Sequence, residues 1–77
     1  MILLANGEGM PGVATTANLL REGAAGLDAI EAGIRLVEAD PAVRSVGPGS
    51  WPNIVGVLQL DAAVMDGRTR RSGAVGA

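Results

Sequence analysis

The stretch Gly26-Leu27-Asp28-Ala29-Ile30-Glu31-Ala32-Gly33-Ile34-Arg35-Leu36-Val37-Glu38-Ala39-Asp40 decides how this chain folds. Leu27, Ile30, Ile34 and Val37 recur three and four apart and make one apolar stripe, with Asp28, Glu31, Arg35 and Glu38 mainly off it. That period belongs to a helix with one covered face. Glu31 and Arg35 stand in the favourable i,i+4 order, worth about 0.3 kcal/mol. Pro41 restricts Asp40 to extended geometry and so ends the helix. Gly33 costs about 1 kcal/mol in a helix interior, which predicts a packing reason for it. Together with Ala29 and Ala32 it lets a neighbouring backbone approach closely.

On the N-terminal side, Pro11 offers a fixed φ suited to a first helical turn and Gly23 offers a stop. Val13, Ala17 and Leu20 between them predict a helix over Pro11–Glu22. Only three or four small residues then lead into the next helix, so the two should pack as an antiparallel pair. Met1–Ala5 is an apolar run stopped by Asn6-Gly7, which reads as a buried strand. On the C-terminal side, Ser45–Asn53 crowds Gly47, Pro48, Gly49, Ser50 and Pro52 together, which suits neither a helix nor a central strand. Val55–Met65 is strand-like, Asp66-Gly67 marks a hairpin turn, and Ser72–Ala77 reads as the return strand. The class is α+β: a first strand, two helices and a β-hairpin in one unit, 1–77. A last strand without turn, cap or polar tail reads as cut, so the unit is expected to be part of a larger domain.

Composition narrows the chemistry. In 77 residues there are 12 glycines, one aromatic residue, no cysteine and no histidine. Disulfides, thiol nucleophiles, imidazole acid–base chemistry and zinc sites of the usual type are therefore excluded from this stretch. A chain this short buries only about 60% of its unfolded surface and usually needs a staple or a partner. The formal net charge of −2, with six arginines and no lysine, gives no footprint for nucleic acid or an anionic membrane. No apolar run approaches the length of a membrane span, and the N-terminus lacks the basic n-region of a signal peptide. The expectation is a cytoplasmic protein without metal or other cofactor.

Several constellations invite a chemical reading. Gly7-Glu8-Gly9-Met10-Pro11-Gly12 is a literal G-x-G-x-x-G between a strand-like run and a helix. A dinucleotide fold would next require a parallel strand ending in an acid, whereas the next element is a helix, so a plain glycine-rich loop is the better reading. Asp61 and Asp66 are the carboxylates of the strand region, and their spacing puts them on opposite faces. Asp66 before Gly67 suits a turn. Asp61 calls for a partner, and an ion pair with Arg68, Arg70 or Arg71 is favoured over acid–base work. Thr15, Thr16, Thr69, Ser45, Ser50 and Ser72 are hydroxyl groups without an imidazole base. Trp51, between serine and proline, is expected to cover a small core patch, with a ligand-facing role as the lesser reading. The arginine cluster reads as a solvated turn.

The order of segments carries a resemblance. Asn6-Gly7, Gly23–Gly33, Ser45-Val46-Gly47-Pro48-Gly49, Pro52-Asn53, Leu60-Asp61-Ala62-Ala63-Val64-Met65-Asp66-Gly67 and Gly73-Ala74-Val75-Gly76 form a series. It resembles the N-terminal part of the glycosylasparaginase branch of the N-terminal-nucleophile hydrolases, relatives of plant- and bacterial-type asparaginases and isoaspartyl peptidases. The resemblance implies a four-layer αββα sandwich in the complete protein. It implies self-cleavage that frees a threonine as both nucleophile and base, which attacks the side-chain amide of asparagine or its glycosylated form. The nucleophile, and the arginine and aspartate that hold the substrate α-groups, would lie beyond residue 77. The loop Gly47–Asn53 would stand beside the active site, with Gly49 and Ser50 as the substrate-binding candidates and no catalytic residue in this stretch. Pro48 departs from the usual tyrosine or phenylalanine and Ser50 from the usual second glycine. Expected partners are the remainder of the same enzyme, an asparagine-type substrate and a second copy in a dimer. The competing reading is a small non-catalytic α/β module that folds and binds a partner alone.

Overall fold

The computed structural model describes residues 1–76. Two helices dominate it: α1 over Met10–Arg21 and α2 over Gly26–Ala39. Both agree with the sequence reading to within a residue. Pro11 lies in the first turn of α1, and Gly23, at φ +89°, closes the other end while the Ala24 amide donates to the Leu19 carbonyl at 3.0 Å. Asp40 is extended, with φ −81° and ψ 112°, as the following Pro41 requires. Glu31 and Arg35 meet at 3.8 Å on the exposed face of α2.

The helices pack antiparallel, with Gly12 facing Gly33 and, one turn further along α1, Thr16 facing Ala29. The sequence's suspicion about Gly33 is correct. A Cβ on Gly12 would overlap the Gly33 carbonyl, and one on Gly33 would lie 2.8 Å from the Gly12 carbonyl and overlap the Thr16 hydroxyl. Thr16 is buried and donates to the Ala29 carbonyl at 2.8 Å, a cross-helix bond worth about 1 kcal/mol net. Small residues thus make the crossing, and the large ones do not. Leu27, Ile30 and Ile34 are each about 40% exposed, and the buried apolar side chains among the described residues are Ala29, Val37 and Val43. Of the apolar stripe of α2 only Val37 is buried, because α1 crosses at the adjoining Ala29 and Gly33 instead.

The β structure is one antiparallel hairpin, β1 over Asp61–Asp66 and β2 over Arg71–Gly76. Its register runs from Asp61 opposite Gly76 to Asp66 opposite Arg71. The Asp66 carboxylate accepts from the Arg68 amide and the Thr69 hydroxyl, both at 3.0 Å, so the turn is built as its sequence suggests. Ala77, placed in the return strand by the sequence, lies outside the described residues.

Three expectations need correction. Met1–Ala5 is not a buried strand: it pairs with no strand among the described residues, and Ile2 and Leu4 are more than 90% exposed. Apolar character marks such a run, but a strand exists only through its neighbour's hydrogen bonds. The strand read over Val55–Met65 starts only at Asp61. Upstream, the Asn53 side chain accepts from the amides of Val55 and Val57 at 3.0 Å, and Gly56 turns at φ +82°. Those amides serve an asparagine-centred turn rather than a ladder. Asp61 forms no ion pair with the arginines of the turn. They stand at the far end of the hairpin, about 17 Å away at 3.4 Å per residue, and Asp61 is exposed.

So little apolar volume is buried that residues 1–77 expressed alone should show no cooperative thermal transition by circular dichroism. A sharp, reversible melt of a monodisperse monomer would instead establish an independent folding unit.

Candidate functional site

The segment after α2 is irregular but held by several contacts to its own neighbours. Asp40 accepts from the Ala42 amide at 2.9 Å and starts the turn, and Val43 tucks its side chain inward. Gly47–Gly49 then forms a single 3-10 turn. Two of its glycines are there for contact. Gly47 takes φ +68°, and a Cβ there would overlap the Glu38 carbonyl. A Cβ on Gly49 would lie 2.6 Å from the Val43 carbonyl and overlap that of Pro41. The turn therefore sits directly on the last carbonyls of α2 and the bend that follows. Ser50 closes it, its hydroxyl donating to the Gly47 carbonyl at 2.7 Å.

Of the two substrate-binding candidates, both half-buried, Ser50 borders a groove and Gly49 packs against backbone. Ser50 borders a groove of about 720 Å³ between the end of α2, this loop and the hairpin, together with Arg35, Arg44, Trp51, Asp61 and Val75. Gly49 is half-buried against the backbone of Pro41 and Val43. Trp51 covers no core patch, contrary to expectation. It is 78% exposed, with the Arg44 guanidinium 5.8 Å from its ring centroid.

The G-x-G-x-x-G segment is not a phosphate loop. Gly7–Gly9 is a 3-10 turn capped by Asn6, whose side chain accepts from the Gly9 amide at 2.9 Å. Gly12, the last glycine of the motif, is spent on the helix crossing. Residue reading missed one contact in this region: the Ser45 hydroxyl donates to the Glu8 carboxylate. Serine and glutamate 37 positions apart leave no local signal of such a pairing.

Most hydroxyls have structural partners. Thr16 donates to Ala29, Thr69 to Asp66 and Ser50 to Gly47. A carboxylate is a weak base toward an alcohol, so Ser45 with Glu8 does not make an activated nucleophile. Among the described residues no cluster of three or more acidic, histidine or cysteine side chains is placed to hold a metal ion. No helix of the described residues is long and apolar enough to cross a membrane. What remains is a loop docked against a helix end, beside an open groove.

Comparison with known proteins gives this arrangement its context. A family profile described as Asparaginase matches residues 10–77. An N(4)-(β-N-acetylglucosaminyl)-L-asparaginase of Elizabethkingia miricola is 52% identical over 48 residues, 62% of this chain and 14% of its own length. An isoaspartyl peptidase/L-asparaginase of Danio rerio is 44% identical over 59 residues, 77% of this chain and 19% of that protein. Its human counterpart is 39% identical over 71 residues, 91% of this chain and 23% of that protein. The chain thus spans less than a quarter of the length of these relatives. The matched region takes in both helices, the docked loop and the hairpin, and the chain belongs to the asparaginase family.

Proposed function

We propose that residues 1–77 form the N-terminal part of an amidohydrolase that cleaves the side-chain amide of asparagine, in its N-glycosylated form. The reading is carried by the 52% identity to a relative named for that substrate. In the complete protein the open stripe Leu27–Ile30–Ile34 and the hairpin would be covered by further layers of an αββα sandwich. The nucleophile is a threonine outside this stretch, freed by self-cleavage, whose own α-amine takes the hydroxyl proton. A base carried by the nucleophile itself fits a region without histidine. The threonine oxygen attacks the amide carbonyl, the amine leaves with a proton, and water releases aspartate from the ester.

The part of residues 1–77 is to supply one wall of the site through the loop Gly47–Asn53. Ser50 borders the groove, and Gly49 seats the loop on the bend that follows α2. Packing by backbone contact at Gly47 and Gly49 suits that work, since it leaves no side chain between loop and support to rearrange. A second reading, cleavage of free asparagine or isoaspartyl peptides, is favoured by the longer match to the human relative. A non-catalytic binding module has the family membership against it.

The test is to express the complete protein and follow it on a denaturing gel while assaying aspartate release. Two self-generated chains with activity on N(4)-(β-N-acetylglucosaminyl)-asparagine above that on asparagine would support the first reading. The reverse preference would select the second. One intact chain without amidase activity would refute both.

A further inference from the structure

We propose that Glu8 is a positioning residue for the loop Ser45–Asn53, acting through the Ser45 hydroxyl. The proposal rests on the reading of that loop as a wall of the substrate site. Glu8 stands in the 3-10 turn Gly7–Gly9, which is itself fixed. The Gly9 amide donates to both the side chain and the carbonyl of Asn6, at 2.9 and 3.1 Å. The carboxylate is therefore presented from a braced turn rather than from a free strand. Ser45 stands at the loop's entry, followed by Val46 in extended geometry and then by Gly47 at positive φ.

The other attachments of the loop all come from close by in sequence. Gly47 and Gly49 rest on carbonyls of Glu38, Pro41 and Val43. Ser50 bonds back to Gly47, and Arg44 reaches the Gly49 carbonyl at 3.5 Å. These contacts tie the loop to neighbouring positions only. Glu8 adds a tie from a distant segment. Among side-chain hydrogen bonds of the described residues, the Glu8–Ser45 bond joins the most distant positions, 37 apart against 13 for Thr16–Ala29. A carboxylate acceptor makes a stronger bond than a neutral oxygen, which matters at an exposed position where water competes.

The test uses the complete protein and the substitutions Glu8→Ala and Glu8→Gln. Glu8→Ala should speed amide hydrogen exchange across Val46–Trp51 about tenfold, with α1 and α2 unchanged. Glu8→Gln keeps an acceptor oxygen and should recover most of that protection. In turnover, Glu8→Ala should raise KM about tenfold and leave kcat within about twofold. Added to Ser45→Ala, it should cost less than about twofold more, because the bond is already gone. Unchanged loop exchange, faster exchange in the helices as well, or additive substitutions would each overturn the proposal. If the unsubstituted protein has no amidase activity, the functional reading fails by itself. The exchange measurement then still decides whether Glu8 positions the loop.

Discussion

Gly33→Ala should lower the stability of the complete protein by about 2 kcal/mol, although alanine is the better helix former. Intrinsic propensity favours the substitution by about 1 kcal/mol. Against it, the added methyl would overlap the Thr16 hydroxyl and press on the Gly12 carbonyl at 2.8 Å. Overpacking of this kind costs about 3 kcal/mol where backbone rather than a flexible side chain must move. The buried bond from Thr16 to Ala29 would be displaced as well. Thermal unfolding checks the result against Gly26→Ala in the same helix, where an added Cβ meets nothing within 4 Å. The second substitution should be neutral or stabilising. Equal melting temperatures for the two would show that the helices do not cross at Gly33.

The second large effect is expected at Gly47→Ala, and chiefly on activity. Gly47 combines φ +68° with a Cβ direction that runs into the Glu38 carbonyl, so alanine can be accommodated only by lifting the turn off α2. A shift of about 1 Å in a positioning element can cost about a hundredfold in turnover. A loss of that size in kcat/KM is the expected result on whichever asparagine-type substrate the protein cleaves. Gly56→Ala separates the two causes: its φ of +82° is equally strained, yet open space surrounds it. It should cost stability with little loss of turnover. Full activity in Gly47→Ala would remove the loop from the substrate site.

What could be read from sequence was what is decided locally. The ends of α1 and α2 depend on Pro11, Gly23 and Pro41 acting on their immediate neighbours, and the hairpin turn depends on Asp66 bonding two and three residues ahead. Gly33 gave a non-local hint because glycine inside a helix needs a reason. Periodicity located the apolar face of α2 but not what covers it, and the crossing fell to the smaller residues beside the stripe. Met1–Ala5 failed as a strand because pairing is a property of two segments. Val55–Leu60 failed because one side chain, Asn53, captures the amides that a ladder would need. At the candidate site, glycine content announced a tight loop. The carbonyls that Gly47 and Gly49 rest upon, and the Glu8–Ser45 bond, appear only when distant backbone segments meet.

The helix crossing and the docked loop have a kinetic consequence. Every tie among them, from Asn6 at the first 3-10 turn to Ser50 at the second, lies within one uninterrupted run of sequence that precedes the hairpin. The caps and turns among them close segments of a few residues at little cost in chain entropy, ahead of the 37-residue tie from Glu8 to Ser45. During vectorial synthesis this run leaves the ribosome before Asp61–Gly76 does. One wall of the future cleft can then start as transient local structure, which the later layers fix in place by covering it.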